Sequence, residues 1–561
     1  MDPATVIGLA ASIVQFITFT GQLLSKSREI HSSADGALVE NRELEAITTS
    51  LQDLSRDISV GSRYSTKADK KLNELCDGCQ EVTNELLVLV QKLKGSNSHR
   101  GWGSFRQAAL SVWKEKEVRA LSDRVERYRR QIDTVLLVTL RERIESVDPN
   151  AESPENFRLD QKDAWKRKVI DEIRHNDWQH KNEQDMAMFS ACFTESAGQH
   201  RDFVHKLRIL ENLRFTDIAD RYERIEEAHK RTFEWIFCES DSKSTDSSRS
   251  NSPRRHKYAQ QSNMNFVEWL KSDRSLFWIT GKPGAGKSTL MKYVYNDPRT
   301  SALLQPWKGA DKLVTASFFF WNSGTVMQMS REGLLRALLY EALQEYPQDI
   351  PTLFPERWRH FELFGADPRA WSWIELSKAF ESLLATDSKK FFLLIDGLDE
   401  FEGACAELAS WVIETAARPN VKLCVASRPW LMFEDAFESL PFLRVEDLTA
   451  PDMHVLITEK LQSNEMFSRL QNLESKNAQS LVSEILEKAA GVFLWVRLVV
   501  LSLLDGLRDG DTMSDLQGRL QKLPADLEDL FQKIFQGLEP EYLKQASRMI
   551  RTVVAWKRPL T

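Results

Sequence analysis

The sequence predicts a multidomain chain: an all-α N-terminal helical bundle, then an α/β unit on a parallel sheet, then a C-terminal helical region. Three observations predict it. No proline lies between Pro3 and Pro149, and helical periodicity is plain over Leu38–Ile58, Leu72–Leu93 and Ala108–Ile144. The pattern then changes to short apolar runs at Leu276–Thr280, Leu313–Phe320, Phe391–Ile395, Val421–Ala426 and Phe442–Val445, most of them separated by helical stretches. Such runs fit strands of a parallel sheet covered on both faces. From Asp452 onward the helical pattern returns.

The 561 residues suffice for several domains, and 42% hydrophobic with 28% charged residues suits a globular chain. A net charge of -7 gives no basic footprint, so no nucleic-acid partner is expected. Six scattered cysteines are too few for a secreted disulfide framework and point to a reducing, cytoplasmic setting. Cys76 and Cys79 form a lone CxxC without two further zinc ligands. They share one face of the expected helix Leu72–Leu93 and read as core residues.

Residues Pro3–Ser25 carry no charge. Gly8, Ser12, Gln15 and Gln22 form a polar stripe, while Val6, Leu9, Ile13 and Phe16 line another face. That suits a helix packed in a bundle; the alternative is a helix, over residues 5–24, that contacts membrane. Glu239–Arg255 is a Ser/Asp/Arg-rich tract with nothing to bury, expected to be a disordered linker. The expected boundaries are 1–145 for the N-terminal helices, 146–238 for a helical connector and 239–258 for the linker. They continue with 259–450 for the α/β core, 451–545 for the second helical region and 546–561 for a final segment.

The chemistry is concentrated in the α/β core. Gly281-Lys282-Pro283-Gly284-Ala285-Gly286-Lys287-Ser288 fits GxxxxGK[ST], follows an expected strand and opens an expected helix. Glycines there let backbone N–H groups converge on phosphate oxygens at a helix N-terminus. Gly281, Gly284, Ala285, Gly286, Lys287, Ser288 and Thr289 are therefore the expected contacts to a nucleoside triphosphate, ATP or GTP. Lys287 should meet the β- and γ-phosphates, and Ser288 should place its hydroxyl on Mg²⁺.

The strand Phe391–Ile395 delivers Asp396-Gly397-Leu398-Asp399-Glu400. Asp396 is placed to hold Mg²⁺, and Asp399 or Glu400 to orient or deprotonate the attacking water. Arg428, at the end of Val421–Ala426, could sense or stabilise the γ-phosphate. Thr66-Lys67-Ala68-Asp69 matches a guanine-reading [NT]KxD but lies in a helical region upstream of the P-loop, where it is not expected to read a base. None of the ten histidines sits in an HExxH motif.

Phe277–Val294, Leu393–Glu400 and Ala426–Pro429 together resemble a NACHT domain of the fungal NOD-like, signal-transducing (STAND) NTPases. Ala228–Ile236, Gly491–Val496 and Leu523–Phe535 resemble the same proteins. Met1–Leu24 is similar, more loosely, to their helical HeLo-like effector domains. The resemblance implies a switch in innate immunity, heterokaryon incompatibility or programmed cell death. It binds and slowly hydrolyses nucleotide, self-associates on activation and becomes membrane-associated when active. It also implies that residues 546–561 begin a winged helix, and no ankyrin, WD40 or TPR array is present before Thr561. The alternatives are a motor or metabolic P-loop NTPase and a helical scaffold or membrane-active protein not governed by nucleotide. The first lacks an LSGGQ-type signature of ABC proteins; the second does not need the intact Lys287, Ser288 and acidic cluster.

Overall fold

The structure is a computed structural model. It describes residues 3–25, 67–94, 112–145, 164–176, 178–179, 182–229, 232–238, 265–364, 367, 369–386, 388–536 and 540–555, with a few positions between 47 and 56. The linker expected at 239–258 lies outside the described residues, as does much of the helix expected over Leu38–Ile58. The chain divides into two compact units, one comprising residues 1–209 with 348–371, the other 210–347 with 372–561. The stretch up to residue 209 of the expected connector therefore groups with the N-terminal helices, and the rest groups with the sheet.

The first unit is helical. Its main helices are α1 (Pro3–Ser25), α2 (Lys67–Lys94), α3 (Glu115–Glu145), α4 (Ala164–His175) and α5 (Glu183–Leu213), the last running past the unit's boundary. α1 packs along α3, and Val6, Ile13 and Phe16 are fully buried. Gly8, Ser12 and Gln15 are only half-buried, so the polar stripe lies on the less enclosed side. Burial of the apolar face thus explains the uncharged run without lipid. Among the described residues no helix is long and apolar enough to cross a membrane. Cys76 and Cys79 sit in this unit's core, where burial pushes both thiols up to about 12. No metal-binding cluster of His, Cys, Asp or Glu occurs among the described residues.

The second unit is built on a parallel five-stranded sheet of order β2-β3-β4-β1-β5. Its strands are β1 (Leu276–Thr280), β2 (Lys312–Phe319), β3 (Lys389–Asp396), β4 (Val421–Ser427) and β5 (Phe442–Arg444). All five apolar runs of the sequence are strands. β1 and β4 are buried at every position, as continuous apolar runs require when helices cover both faces. Two crossover helices are α6 (Lys287–Asn296), packed on β3 and β4, and α7 (Arg331–Glu345), packed on β2. One strand, β4, separates the P-loop strand β1 from β3, so the carboxyl ends of all three open on one edge.

Beyond the sheet, α8 (Ala450–Gln462), α9 (Ser475–Ala489), α10 (Phe493–Arg508) and α11 (Met513–Lys522) enclose a core of their own. It is centred on the buried Trp495, whose indole N–H donates to the Pro524 carbonyl at 2.8 Å. Residues 546–555 continue the helix Pro540–Ala555, and residues 556–561 lie outside the described residues. The described part of the expected winged helix is thus a helix and shows no wing.

Candidate functional site

β1 ends at Thr280, and the chain turns through Gly281–Gly286 into α6. Gly284 and Gly286 have φ of 72° and 98°, in the left-handed region that side chains resist. A Cβ on Gly286 would also lie 3.3 Å from both the Phe233 and Phe493 rings. Lys287 arches back over the loop, and its ammonium donates to the carbonyls of Gly281 at 2.7 Å and Lys282 at 3.1 Å. Burial lowers its pKa, while Asp396 and Asp399 oppose that shift. Two weak carbonyl acceptors thus hold a desolvated cation that phosphate oxygens would satisfy better.

Asp396, the last residue of β3, is 2% exposed. Burial pushes its carboxyl up to about 6, against the hydrogen bond from Ser288 and the charge of Arg221. The hydroxyl and carboxylate are thus adjacent, an oxygen pair that fits Mg²⁺. The shift has a testable sign. The folded pKa lies above the ordinary 3.8, so ionising Asp396 costs the ligand-free fold stability as pH rises from about 4 through about 6. Asp396→Asn should raise ligand-free stability above pH 7, by up to about 3 kcal/mol. The gain should fade on acidification below about pH 4, as urea melts at a series of pH values would show. An equal gain at every pH would contradict the burial cost.

Gly397 turns with φ 74° into the short 3-10 turn Leu398–Glu400. Both Asp399 carboxylate oxygens are engaged by Arg428: one accepts its backbone N–H at 2.9 Å, the other its guanidinium Nε at 2.9 Å. Glu400 instead accepts the Asn322 backbone N–H at 3.0 Å from the segment after β2. The structure therefore gathers Lys287, Ser288, Asp396, Asp399, Glu400 and Arg428 at one sheet edge, with Asp399 and Arg428 locked together. Lys67–Asp69, in contrast, lie in the first unit on α2; Thr66 is outside the described residues.

Beside the P-loop opens a cleft of about 410 Å³, lined by Phe233, Gly286, Thr289, Leu456, Phe493 and Val496 among others. Sequence reasoning assigned its aromatic residues no role. Phe233 has a left-handed φ of 67°, uncommon for a bulky residue. It is held there by the Asp452 carboxylate, which accepts the Phe233 N–H at 3.0 Å and the Trp235 indole N–H at 2.8 Å. From the other side, the Leu494 N–H donates to the Gly284 carbonyl at 3.2 Å, and Lys282 Nζ to the Ala490 carbonyl at 3.4 Å. Phe233, from the stretch Ala228–Ile236, and Phe493 and Leu494, from Gly491–Val496, thus converge on the phosphate loop. The signal that could have found them was their appearance among the resembling stretches, because aromatic content alone reads as core.

Residues 260–428 match the family model of the Nephrocystin 3 N-terminal region. The chain is also 24% identical over 313 residues to the vegetative incompatibility protein HET-E-1 of Podospora anserina. That alignment covers 54% of this chain and 22% of the relative, so the chain matches about a fifth of the relative's length.

Proposed function

We propose that this chain, which both matches support as a fungal NACHT-type NTPase, is a nucleotide-operated signalling switch that binds ATP or GTP with Mg²⁺. The observation that carries the reading is the convergence of Lys287, the Ser288–Asp396 pair and the Asp399–Arg428 pair at one sheet edge. The P-loop amides cradle the phosphates, and Lys287 leaves its two carbonyls for the terminal phosphates. Ser288 and Asp396 would hold Mg²⁺, which neutralises phosphate charge when bound. The mainly apolar cleft behind Gly286 and Thr289 receives the base and ribose.

Asp399, with both oxygens committed to Arg428, positions that cation near the γ-phosphate. Glu400, whose carboxylate accepts the Asn322 N–H, takes the proton of the attacking water. By analogy with the vegetative incompatibility protein HET-E-1, the switch serves vegetative incompatibility, with the N-terminal helical unit as effector. Activation would accompany self-association. Since α1 is enclosed in its unit, any membrane contact through residues 5–24 requires its release first.

Photo-crosslinking tests the site assignment. An azido-substituted ATP or GTP should label residues within 228–236 or 491–496, and excess unmodified nucleotide should abolish the labelling. Competed labelling confined to other segments would overturn the cleft assignment.

A further inference from the structure

A cation outside every nucleotide motif also reaches this site. The segment running from the end of α5 toward the linker is strapped across the second unit by its own backbone carbonyls. Arg336 donates to Leu213 at 2.9 Å and Asn212 at 2.8 Å, Gln328 to Asp217 at 2.8 Å, and Lys292 to Ile225 at 2.8 Å. Tyr222 adds a hydroxyl bond to Asn296 at 2.6 Å and a ring contact with Phe319 at 5.5 Å between centroids. These bonds fix the short helix Asp220–Arg224, and with it Arg221, whose guanidinium lies 5.9 Å from the Trp321 ring centroid. Arg224 shares that ring at 4.9 Å, so two like charges are crowded on one indole.

The Arg221 Nε–H is shielded from solvent and has no hydrogen-bond partner among the described residues. The guanidinium is nevertheless close enough to Asp396 for its charge to lower that carboxyl's pKa. Trp321 precedes Asn322, the residue whose N–H holds Glu400. Arg221 therefore lies beside Asp396 and the segment that holds Glu400. Lys287 is occupied by carbonyls and Arg428 by Asp399, whereas the Arg221 Nε–H is held without an acceptor. A shielded, charged donor lacking an acceptor is costly, and an anion arriving beside it removes the cost.

We propose that Arg221 is a phosphate-binding residue, placed by the strap to contact the terminal phosphate of a bound triphosphate. The proposal rests on the nucleotide-binding reading above and deepens it. A triphosphate gains the contact and a diphosphate does not, so Arg221 discriminates between them. Because the strap continues directly from α5 in sequence, the residue that senses the terminal phosphate lies outside the P-loop fold's own motifs.

The experiment compares wild type, Arg221→Gln and Arg221→Lys. Affinity for ATP, GTP, ADP and GDP with Mg²⁺ is measured by equilibrium titration on the full chain, with thermal melting as the folding control. Arg221→Gln should weaken triphosphate binding by at least about tenfold, the size of one charge-assisted hydrogen bond, and leave diphosphate binding within about twofold. Arg221→Lys, which keeps the charge and loses the fork, should fall between the two for triphosphate alone. Unchanged triphosphate affinity in Arg221→Gln overturns the proposal. So does equal loss of both nucleotide classes in either variant, since that marks the strap as merely structural. If Arg221→Gln does not fold, Arg221→Lys decides by the same comparison. Wild type that binds no nucleotide overturns the underlying reading, and this proposal falls with it.

Discussion

Lys287→Ala weakens the affinity for ATP or GTP with Mg²⁺ by at least about 100-fold, because it removes two charge-assisted phosphate contacts of about 1.5–3 kcal/mol each. In the ligand-free chain the same side chain only bridges the carbonyls of Gly281 and Lys282, and the loop's bends rest on Gly284 and Gly286. Burial already disfavours its charged form. The substitution should therefore leave the melting temperature without nucleotide unchanged or slightly raised. Titration and melting together check this: a large fall in melting temperature would show Lys287 to be a structural clamp, and unchanged affinity would remove it from the site.

Glu400→Gln slows hydrolysis by about 100-fold or more, the usual contribution of a positioned general base, with nucleotide affinity nearly unchanged. Gln can still accept the Asn322 N–H through its amide oxygen, so the local turn survives. Asp399→Asn acts differently, because both oxygens of Asp399 hold Arg428. It should release the guanidinium, slow turnover and also destabilise the chain. Single-turnover rates with matched urea melts separate the two carboxylates. A Glu400→Gln rate equal to wild type, with Asp399→Asn folded but inactive, would exchange their roles.

The strands were legible because each is a short apolar run, continuous where helices bury both faces as in β1 and β4, and all five occur in the sheet. The P-loop was legible because its geometry is local: glycines at the two left-handed positions, then a helix that opens at Lys287. α1 was legible from its two unlike faces, although sequence left bundle and membrane both open until neighbours were seen to cover the apolar one. Asp399 and Glu400 were indistinguishable in sequence, since their difference lies in which partner each finds on β4 or after β2. Phe233 and Arg221 were invisible for a similar reason. Phe233 depends on Asp452, 219 residues away, and Arg221 on a strap pinned by Gln328 and Arg336, and such long-range pairing leaves no periodicity to read.

The most direct test of the central claim is calorimetric titration of the wild-type chain with ATP and with GTP, each with and without Mg²⁺. The account predicts saturable binding of at least one of them at a single site, strengthened by Mg²⁺ and lost in Lys287→Ala. Folded wild-type protein that binds neither nucleotide, with or without the metal, would contradict it.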